Sequence, residues 1–96
     1  MSKLDTVIHA PNRLQICAAL STASELEFKF LKEQLEVSDS VLSKHLKTLE
    51  EAGYISITKR SDYARPRSWI ALTSIGRQAF SGHVAALKEI VAELND

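Results

Sequence analysis

Four residues between positions 40 and 47 have side chains suited to binding a polyanion. They are two serines and two lysines: Ser40, Ser43, Lys44 and Lys47. At about 100° per residue, all four fall on one arc of a helix, which we call the polar arc. Serine hydroxyls can hydrogen-bond to base edges, and lysine ammonium groups pair with phosphates. The arc therefore favours DNA as a ligand, although by itself it is also typical of a solvated helix surface.

A second set of cations follows shortly after. Between positions 59 and 67 the cations Lys59, Arg60, Arg65 and Arg67 are opposed by Asp62 alone. The whole chain has a formal net charge of zero, but electrostatic binding depends on the local field. This segment is therefore predicted to face the DNA backbone or a narrow minor groove, where arginine is favoured.

The sequence has no residue pattern typical of an enzyme. It lacks a glycine-rich phosphate loop and a nucleophile elbow. Ser38 and His45 are seven positions apart, about two helical turns, which is too far for proton transfer. We predict neither catalysis nor a cofactor.

A metal site is not predicted either. The single cysteine, Cys17, excludes an intrachain disulfide and thiolate clusters within one chain. It is predicted to be a small core residue, with oxidant sensing as the alternative. His83 and Glu89 are six positions apart, hence about 240° apart on a helix, and face different ways. His9, just before Pro11, is interpreted as a helix-end or interface residue.

The element that positions the polar arc is a well-specified helix over about 38–52. Leu42, Leu46 and Leu49 form a buried edge opposite the arc. Ser38 is a suitable N-cap, and Gly53 stands where a left-handed residue ends a helix.

The flanking segments predict a mainly α protein with a small β-hairpin, in a single domain over 1–96. A helical region over about 4–21 is interrupted at Pro11, a brief extended passage covers 24–27, and a helix covers 28–35. Strands are predicted over 54–59 and 68–72, with a long basic tip containing SDYARPR. Thr73 then caps a last helix over 74–94.

Three stretches resemble winged helix-turn-helix transcriptional regulators of the MarR/ArsR superfamily. HAPNRLQICAAL is similar to the first-helix signature, LSKHLKTLEEAGYI to the recognition helix, and RPRSWIALTSIGRQAF to the wing and the start of the last helix. The resemblance covers about 4–91 and implies a homodimeric repressor or activator, with a helix-turn-helix over about 28–52 and a wing over about 54–72. Small relatives often carry Gly-Asn where this chain has Ser40-Val41, so the operator sequence stays open.

The residues predicted to contact DNA combine this resemblance with the charge pattern. They are Ser38, Ser40, Ser43, Lys44, His45, Lys47, Lys59, Arg60, Arg65 and Arg67. His45 has two interpretations, packing beside the wing or contacting a phosphate. Lys59 and Arg60, at the base of the wing, are as consistent with simple solvent exposure, and Arg13 is interpreted as structural.

A two-fold dimer interface is predicted from apolar residues in segments 2–10 and 74–94. They are Leu4, Val7, Ile8, Phe80, Val84, Leu87, Val91 and Leu94. The alternative is that the last helix packs only within its own chain. A dimer would place two recognition helices about one DNA turn apart, on a pseudo-palindromic operator.

The predicted function is a sequence-specific, double-stranded DNA-binding regulator, probable as a homodimeric repressor in the cytoplasm. No apolar stretch approaches the roughly 18 residues needed to span a membrane. The alternative is a protein-interaction module without DNA binding, which net neutrality favours. An unknown small-molecule effector is left open, and would be expected near Trp69, Tyr63 or His83 at the dimer interface.

Overall fold

The computed structural model of the chain describes residues 3–94, which form five α-helices and three β-strands. In chain order these are α1 (Thr6–His9), α2 (Pro11–Ser21), β1 (Leu26–Glu27), α3 (Phe28–Leu35), α4 (Asp39–Glu51), β2 (Ile55–Asp62), β3 (Arg65–Leu72) and α5 (Ser74–Leu94). The order is the one predicted. The two residues at each end of the predicted 1–96 domain, and residue 2 of the predicted interface segment, lie outside the described range.

The chain changes direction between α1 and α2 at Ala10. Its ψ of 134° is extended rather than helical, as a following proline favours. Pro11 then begins α2, where its missing N–H costs no hydrogen bond. The interruption predicted at Pro11 is confirmed.

Capping at both ends defines α4. Ser38 Oγ accepts a hydrogen bond from a first-turn N–H at 3.2 Å. At the other end Gly53 has a φ of 79°. The N–H groups of Gly53 and Tyr54 donate to the carbonyls of Glu50 and Leu49, which is the Schellman pattern. Both predicted caps are confirmed.

β3 is the central strand of an antiparallel sheet with the order β1-β3-β2. The two residues of β1 pair only with Trp69 and Ile70, whereas β2 pairs along the whole of β3. Ile70 and Leu72 are buried on one face of the sheet together with Ile55. The extended passage predicted before the second helix is confirmed as this short strand.

The tip of the hairpin differs from the prediction. Strand pairing continues as far as Asp62 and Arg65, which leaves a turn of only two residues instead of a long basic tip. Tyr63 and Ala64 have φ values of 49° and 64°. Two consecutive left-handed residues match a type I′ turn, whose twist suits a hairpin. The arginines predicted in a loop therefore lie on a regular strand.

The core lies where α1, α2, α3, α4 and one face of the sheet meet. Its buried side chains are Ile8, Ile16, Cys17, Leu20, Leu31, Leu42, Leu46, Leu49, Ile55, Ile70 and Leu72. The three leucines of α4 are among them, at 0–2% exposure. The predicted buried edge of α4 is confirmed, and the polar arc consequently points away from the core.

α5 begins directly against the turn that follows α4. A Cβ atom at Gly76 would lie 2.0 Å from the carbonyl oxygen of Tyr54, so only glycine fits there. Thr73 Oγ1 accepts a hydrogen bond from the Gly76 N–H at 2.9 Å, and this confirms the predicted cap. The last helix and the recognition helix are thus held together at one short segment.

Candidate nucleic-acid interface

The polar arc is exposed along α4. Ser40, Ser43, Lys44 and Lys47 are all exposed, on the side opposite the buried leucines. Lys47 Nζ lies 4.0 Å from a carboxylate oxygen of Glu51, a contact between two exposed groups that contributes little. Ser38 and Ser40 stand at the N-terminus of the helix, where free N–H groups and the helix dipole favour a phosphate. The arrangement suits a polyanionic ligand.

A groove of about 360 Å³ separates α4 from the hairpin. Ser43 and Lys47 line it from the helix, and Lys59 and Ser68 line it from the strands. Lys59 alternates along β2 with the core-facing Ile57, so it lies on the hairpin face that is turned toward α4. One predicted cation of the wing therefore lies beside the polar arc.

Arg60 and Arg67 lie on the other face of the hairpin, where both are paired with acids. They are direct cross-strand partners. The Arg60 guanidinium pairs with Glu25 and stacks 4.7 Å from the centre of the Trp69 ring. Arg67 Nη1 lies 3.3 Å from Glu27. The predicted local charge excess is therefore too large, because these two carboxylates, 35 and 40 residues away in sequence, offset two of the four cations.

Arg65 lines a second groove together with Lys29 of α3, with a volume of about 410 Å³. Phe28 and Ser68 line both grooves, so the two are adjacent. Lys29 is exposed and was not among the predicted contacts. On an amphipathic helix its sequence position is typical of solvated surface, and only the return of β3 beside α3 places it near the wing.

His45 faces the N-terminal helices and not the wing. Its Nδ1 is 3.3 Å from Arg13 Nη1, and its Nε2 is 3.4 Å from Asn12 Nδ2. Arg13 Nε also donates to the carbonyl of Val7, in line with its structural interpretation. Burial, with the charges of Arg13 and Lys44, lowers the pKa of His45. The expectation that His45 packs beside the wing is therefore wrong, and as a neutral ring it is poorly suited to attract a phosphate.

Residues 12–91 match the family described as winged helix DNA-binding domain. The chain belongs to this family. An uncharacterized protein of Methanocaldococcus jannaschii is 35% identical over 78 residues, covering 81% of this chain and 85% of that relative. The predicted winged helix-turn-helix is confirmed, with α3 and α4 as the helix-turn-helix and β2–β3 as the wing.

Solved regulators have the same fold. A transcriptional regulator homologue protein from Pyrococcus horikoshii superposes with a TM-score of 0.89 at 23% identity, covering 96% of this chain and 91% of that one. The heme sensor protein of Streptococcus agalactiae, in complex with heme, gives 0.77 at 23% identity, covering 92% of this chain and 61% of that one. At these identities the likeness concerns the fold.

The residues predicted for a dimer interface divide by burial. Ile8 is fully buried in the core of its own winged-helix domain, so it has no surface for a partner and its assignment to an interface is wrong. Four others are half-buried: Val7, Phe80, Val84 and Leu87. Three are exposed: Leu4, Val91 and Leu94.

A buried polar cluster joins α1, α5 and the turn after α4. The N–H of Asp5 donates to Nδ1 of the fully buried His83 at 2.9 Å, and the Tyr54 hydroxyl donates to Asp5 Oδ2 at 2.5 Å. His9 Nδ1 lies 3.4 Å from His83 Nε2. Sequence reasoning missed this cluster. The only local signal was an aspartate before an apolar helix, because its partners lie 49 and 78 residues away.

The cluster shifts the titration of its members. Its hydrogen bond to the Asp5 carboxylate raises the pKa of Tyr54 to about 12. Burial opposes ionisation of Asp5, but hydrogen bonds from Tyr54 and from the N–H groups of Ile8 and Val7 outweigh it and lower the pKa. Burial is the main cause of the lowered pKa of His83. A neutral histidine and an ionised aspartate fasten α1 to α5.

Cys17 is fully buried, and burial raises the pKa of its thiol to about 11. Near neutral pH it therefore has little of the thiolate form that reacts with oxidants. This favours the interpretation of Cys17 as a core residue over the alternative of an oxidant sensor.

The residues near which an effector was expected do not converge. Tyr63 is 96% exposed at the tip of the wing, Trp69 lies beneath Arg60, and His83 is buried between α1 and α5. Within residues 3–94, no group of three or more His, Cys, Asp or Glu side chains is arranged to hold a metal ion. None of the helices in that part of the chain combines the length and the apolar character needed to cross a membrane.

Proposed function

We propose that this winged-helix domain is a sequence-specific, double-stranded DNA-binding regulator that acts as a homodimer. In this proposal α4 enters the major groove and the wing lies on the flanking backbone or minor groove. The observation that carries it is the exposed polar arc on a helix whose opposite edge is buried in the core. A helix presented in this way can insert its outer face into the groove without losing its attachment.

The geometry divides the candidate contacts into groups. Ser40 and Lys44 are assigned to base edges, because they lie in the N-terminal half of α4. Ser38, Ser43, Lys47 and Lys59 are assigned to phosphates on either side, and Arg65 with Lys29 to the flanking backbone. Arg60 and Arg67 contact DNA only if it displaces Glu25 and Glu27, and His45 supports the helix from behind.

A dimer is supported by apolar residues at the end of α5. Ile90, Val91 and Leu94 are 42%, 54% and 80% exposed on the last two turns. The molecule is elongated, at 56 × 26 × 21 Å, so α5 can pair with a second copy away from the DNA-binding face. Two-fold pairing would present two recognition helices to half-sites roughly 34–36 Å apart on a pseudo-palindromic operator.

Repression rather than activation, and a cytoplasmic location, follow from the resemblance to small regulators of the MarR/ArsR superfamily. Because one solved protein of the same fold is a heme sensor, we include control by a small molecule in the proposal. The groups of this chain that would bind such a molecule are left open.

The decisive experiment measures binding to duplexes from the promoter region of the encoding gene as salt rises from 50 to 200 mM. Since bound phosphates release counterions, affinity should fall linearly on a logarithmic plot, with a slope of about −0.9 for each phosphate neutralised. Lys44→Ala with Lys47→Ala should make the slope shallower by about two. Lys3→Ala removes an exposed cation outside the interface and should leave the slope unchanged. A flat salt response in the wild type would contradict DNA binding.

Sedimentation equilibrium tests the dimer separately. The wild type should sediment as a dimer, and Leu94→Glu should shift it to monomer because a carboxylate would be buried at the pairing face. A wild-type monomer at micromolar concentration would rule out the proposed assembly.

The second candidate is a protein-interaction module that does not bind DNA. The observation favouring it is the pairing of Arg60 and Arg67 with acids in a chain of zero net charge. Recovery of one stoichiometric protein partner, with no duplex bound even at 50 mM salt, would support this function instead.

A further inference from the structure

Val41 is an apolar side chain on the otherwise polar surface of the recognition helix. It is 38% exposed, whereas the leucines of the same helix, Leu42, Leu46 and Leu49, are at most 2% exposed. Core packing therefore explains the leucines but leaves much of Val41 uncovered. Its neighbours on the helix surface are polar, with Ser40 before it and Lys44 one turn later.

The position of Val41 is well defined. It lies in the first turn of α4, and its N–H donates to the capping oxygen of Ser38 at 3.2 Å. A β-branched side chain on a helix has one strongly preferred χ1 rotamer. Its two methyl groups are therefore presented in a fixed direction, at the end of α4 that approaches base edges in a helix-turn-helix.

The chemistry of the major groove leaves one natural partner for such a group. Valine neither donates nor accepts a hydrogen bond, so it cannot pair with the polar edges of guanine, adenine or cytosine. Thymine alone presents a methyl group in the major groove, and small apolar side chains contact it there. Burying the two apolar groups against each other removes both from water.

We propose that Val41 contacts the C5-methyl group of one thymine in each operator half-site and is a specificity-determining residue of the domain. The inference rests on the proposed function, in which α4 enters the major groove. Serine and lysine side chains adapt to several bases, so Val41 adds selectivity for thymine at the base pair it faces.

The test removes the methyl group from the DNA and the side chain from the protein. Bound duplexes are first selected from a random library with wild-type protein, and each thymine of the recovered site is then replaced by uracil, which lacks only that methyl group. At one thymine in each half-site, uracil should weaken wild-type binding by about fourfold, the loss expected for one buried methyl group. Val41→Ala should bind the thymine and uracil duplexes equally.

Ile75→Ala is the matched control, since it shortens another exposed apolar residue outside α4 and the wing. It should keep the full response to uracil, and thermal unfolding should show that both variants remain folded. If the wild type binds its site but responds to uracil nowhere, or if Val41→Ala responds as the wild type does, the role of Val41 is overturned while DNA binding stands. If the wild type selects no duplex, the proposed function fails and the inference fails with it.

Discussion

The recognition helix and the wing present their cations in different ways. On α4, Lys44 and Lys47 extend into solvent, and the nearest acid to Lys47 is 4.0 Å away. On the wing, Arg60 and Arg67 form ion pairs with Glu25 and Glu27 across two strands. The helix is therefore ready to bind phosphate, whereas half of the predicted wing cations must first exchange one partner for another.

This difference shows when a count of charges along a sequence predicts a surface. Side chains on one helix have neighbours three and four positions away, so the exposure of the polar arc follows from local spacing. Neighbours in a sheet come from distant segments. The acids that neutralise the wing lie in and beside β1, which the sequence marks only as a short extended passage.

The largest expected effect concerns the attachment of the recognition helix. Leu46→Ala should lower the free energy of unfolding by about 2–5 kcal/mol, because it empties part of the core beneath the polar arc. Thr58→Ala, at an exposed position of the wing, should change it by less than about 0.5 kcal/mol. Urea denaturation followed by circular dichroism measures both. Similar values for the two variants would mean that α4 is not held chiefly by its leucine edge.

The next effect compares one exposed cation with one paired cation. Lys44→Ala should weaken operator binding roughly tenfold at 0.1 M salt if one phosphate contact is lost. Arg60→Ala should weaken it less than about twofold, since this guanidinium is held by Glu25 and Trp69 and its exposed ion pair contributes little. Fluorescence anisotropy with a labelled duplex separates them. An Arg60→Ala loss as large as that of Lys44→Ala would show that DNA displaces Glu25.

A smaller effect follows from removing the acids on the wing. Glu25→Gln combined with Glu27→Gln should strengthen binding to DNA by about threefold, because it frees two guanidinium groups whose surface ion pairs contribute at most about 1 kcal/mol each. The salt dependence should become steeper as additional phosphates are contacted. Glu33→Gln, an exposed acid on α3, serves as the control for net charge. If the control strengthens binding equally, the ion pairs do not restrain the wing.

The parts of the fold predicted from sequence are those with local causes. The leucine edge, the Ser38 cap and the Gly53 end of α4 each depend on residues within one or two turns. The tip of the wing was mispredicted because Tyr63 and Ala64 adopt positive φ without the glycine or asparagine that usually marks such a turn. Here the regular pairing of β2 with β3 outweighs the local preference of two residues.

Other features depend on contacts between distant segments and could not be predicted. Ile8 was assigned to a dimer interface as part of an apolar patch, but the bend at Pro11 turns it into the core. His83 shares a cluster with Asp5, 78 residues earlier, and no periodicity reports such a pairing. The polar arc was predicted residue by residue, whereas Lys29 became a candidate only through the packing of β3 beside α3.

The smallest effect concerns the side of α4 that faces away from the wing. Burial, Arg13 and Lys44 lower the pKa of His45 below its ordinary value of 6.5. Since the unfolded chain then binds the proton more readily, stability rises with pH where the unfolded histidine titrates and is lost as the pH falls through 6.5. Burial and His9 lower the pKa of His83, which adds a loss in the same direction. The free energy of unfolding should therefore be lower at pH 5.5 than at pH 7.5, two conditions chosen about one unit either side of the unfolded pKa. His45→Gln should reduce this difference without abolishing it, and Arg60→Ala should leave it unchanged. Urea denaturation at both pH values measures the effect, and an unaltered difference in His45→Gln would show that α4 does not depend on a neutral histidine where it meets α2.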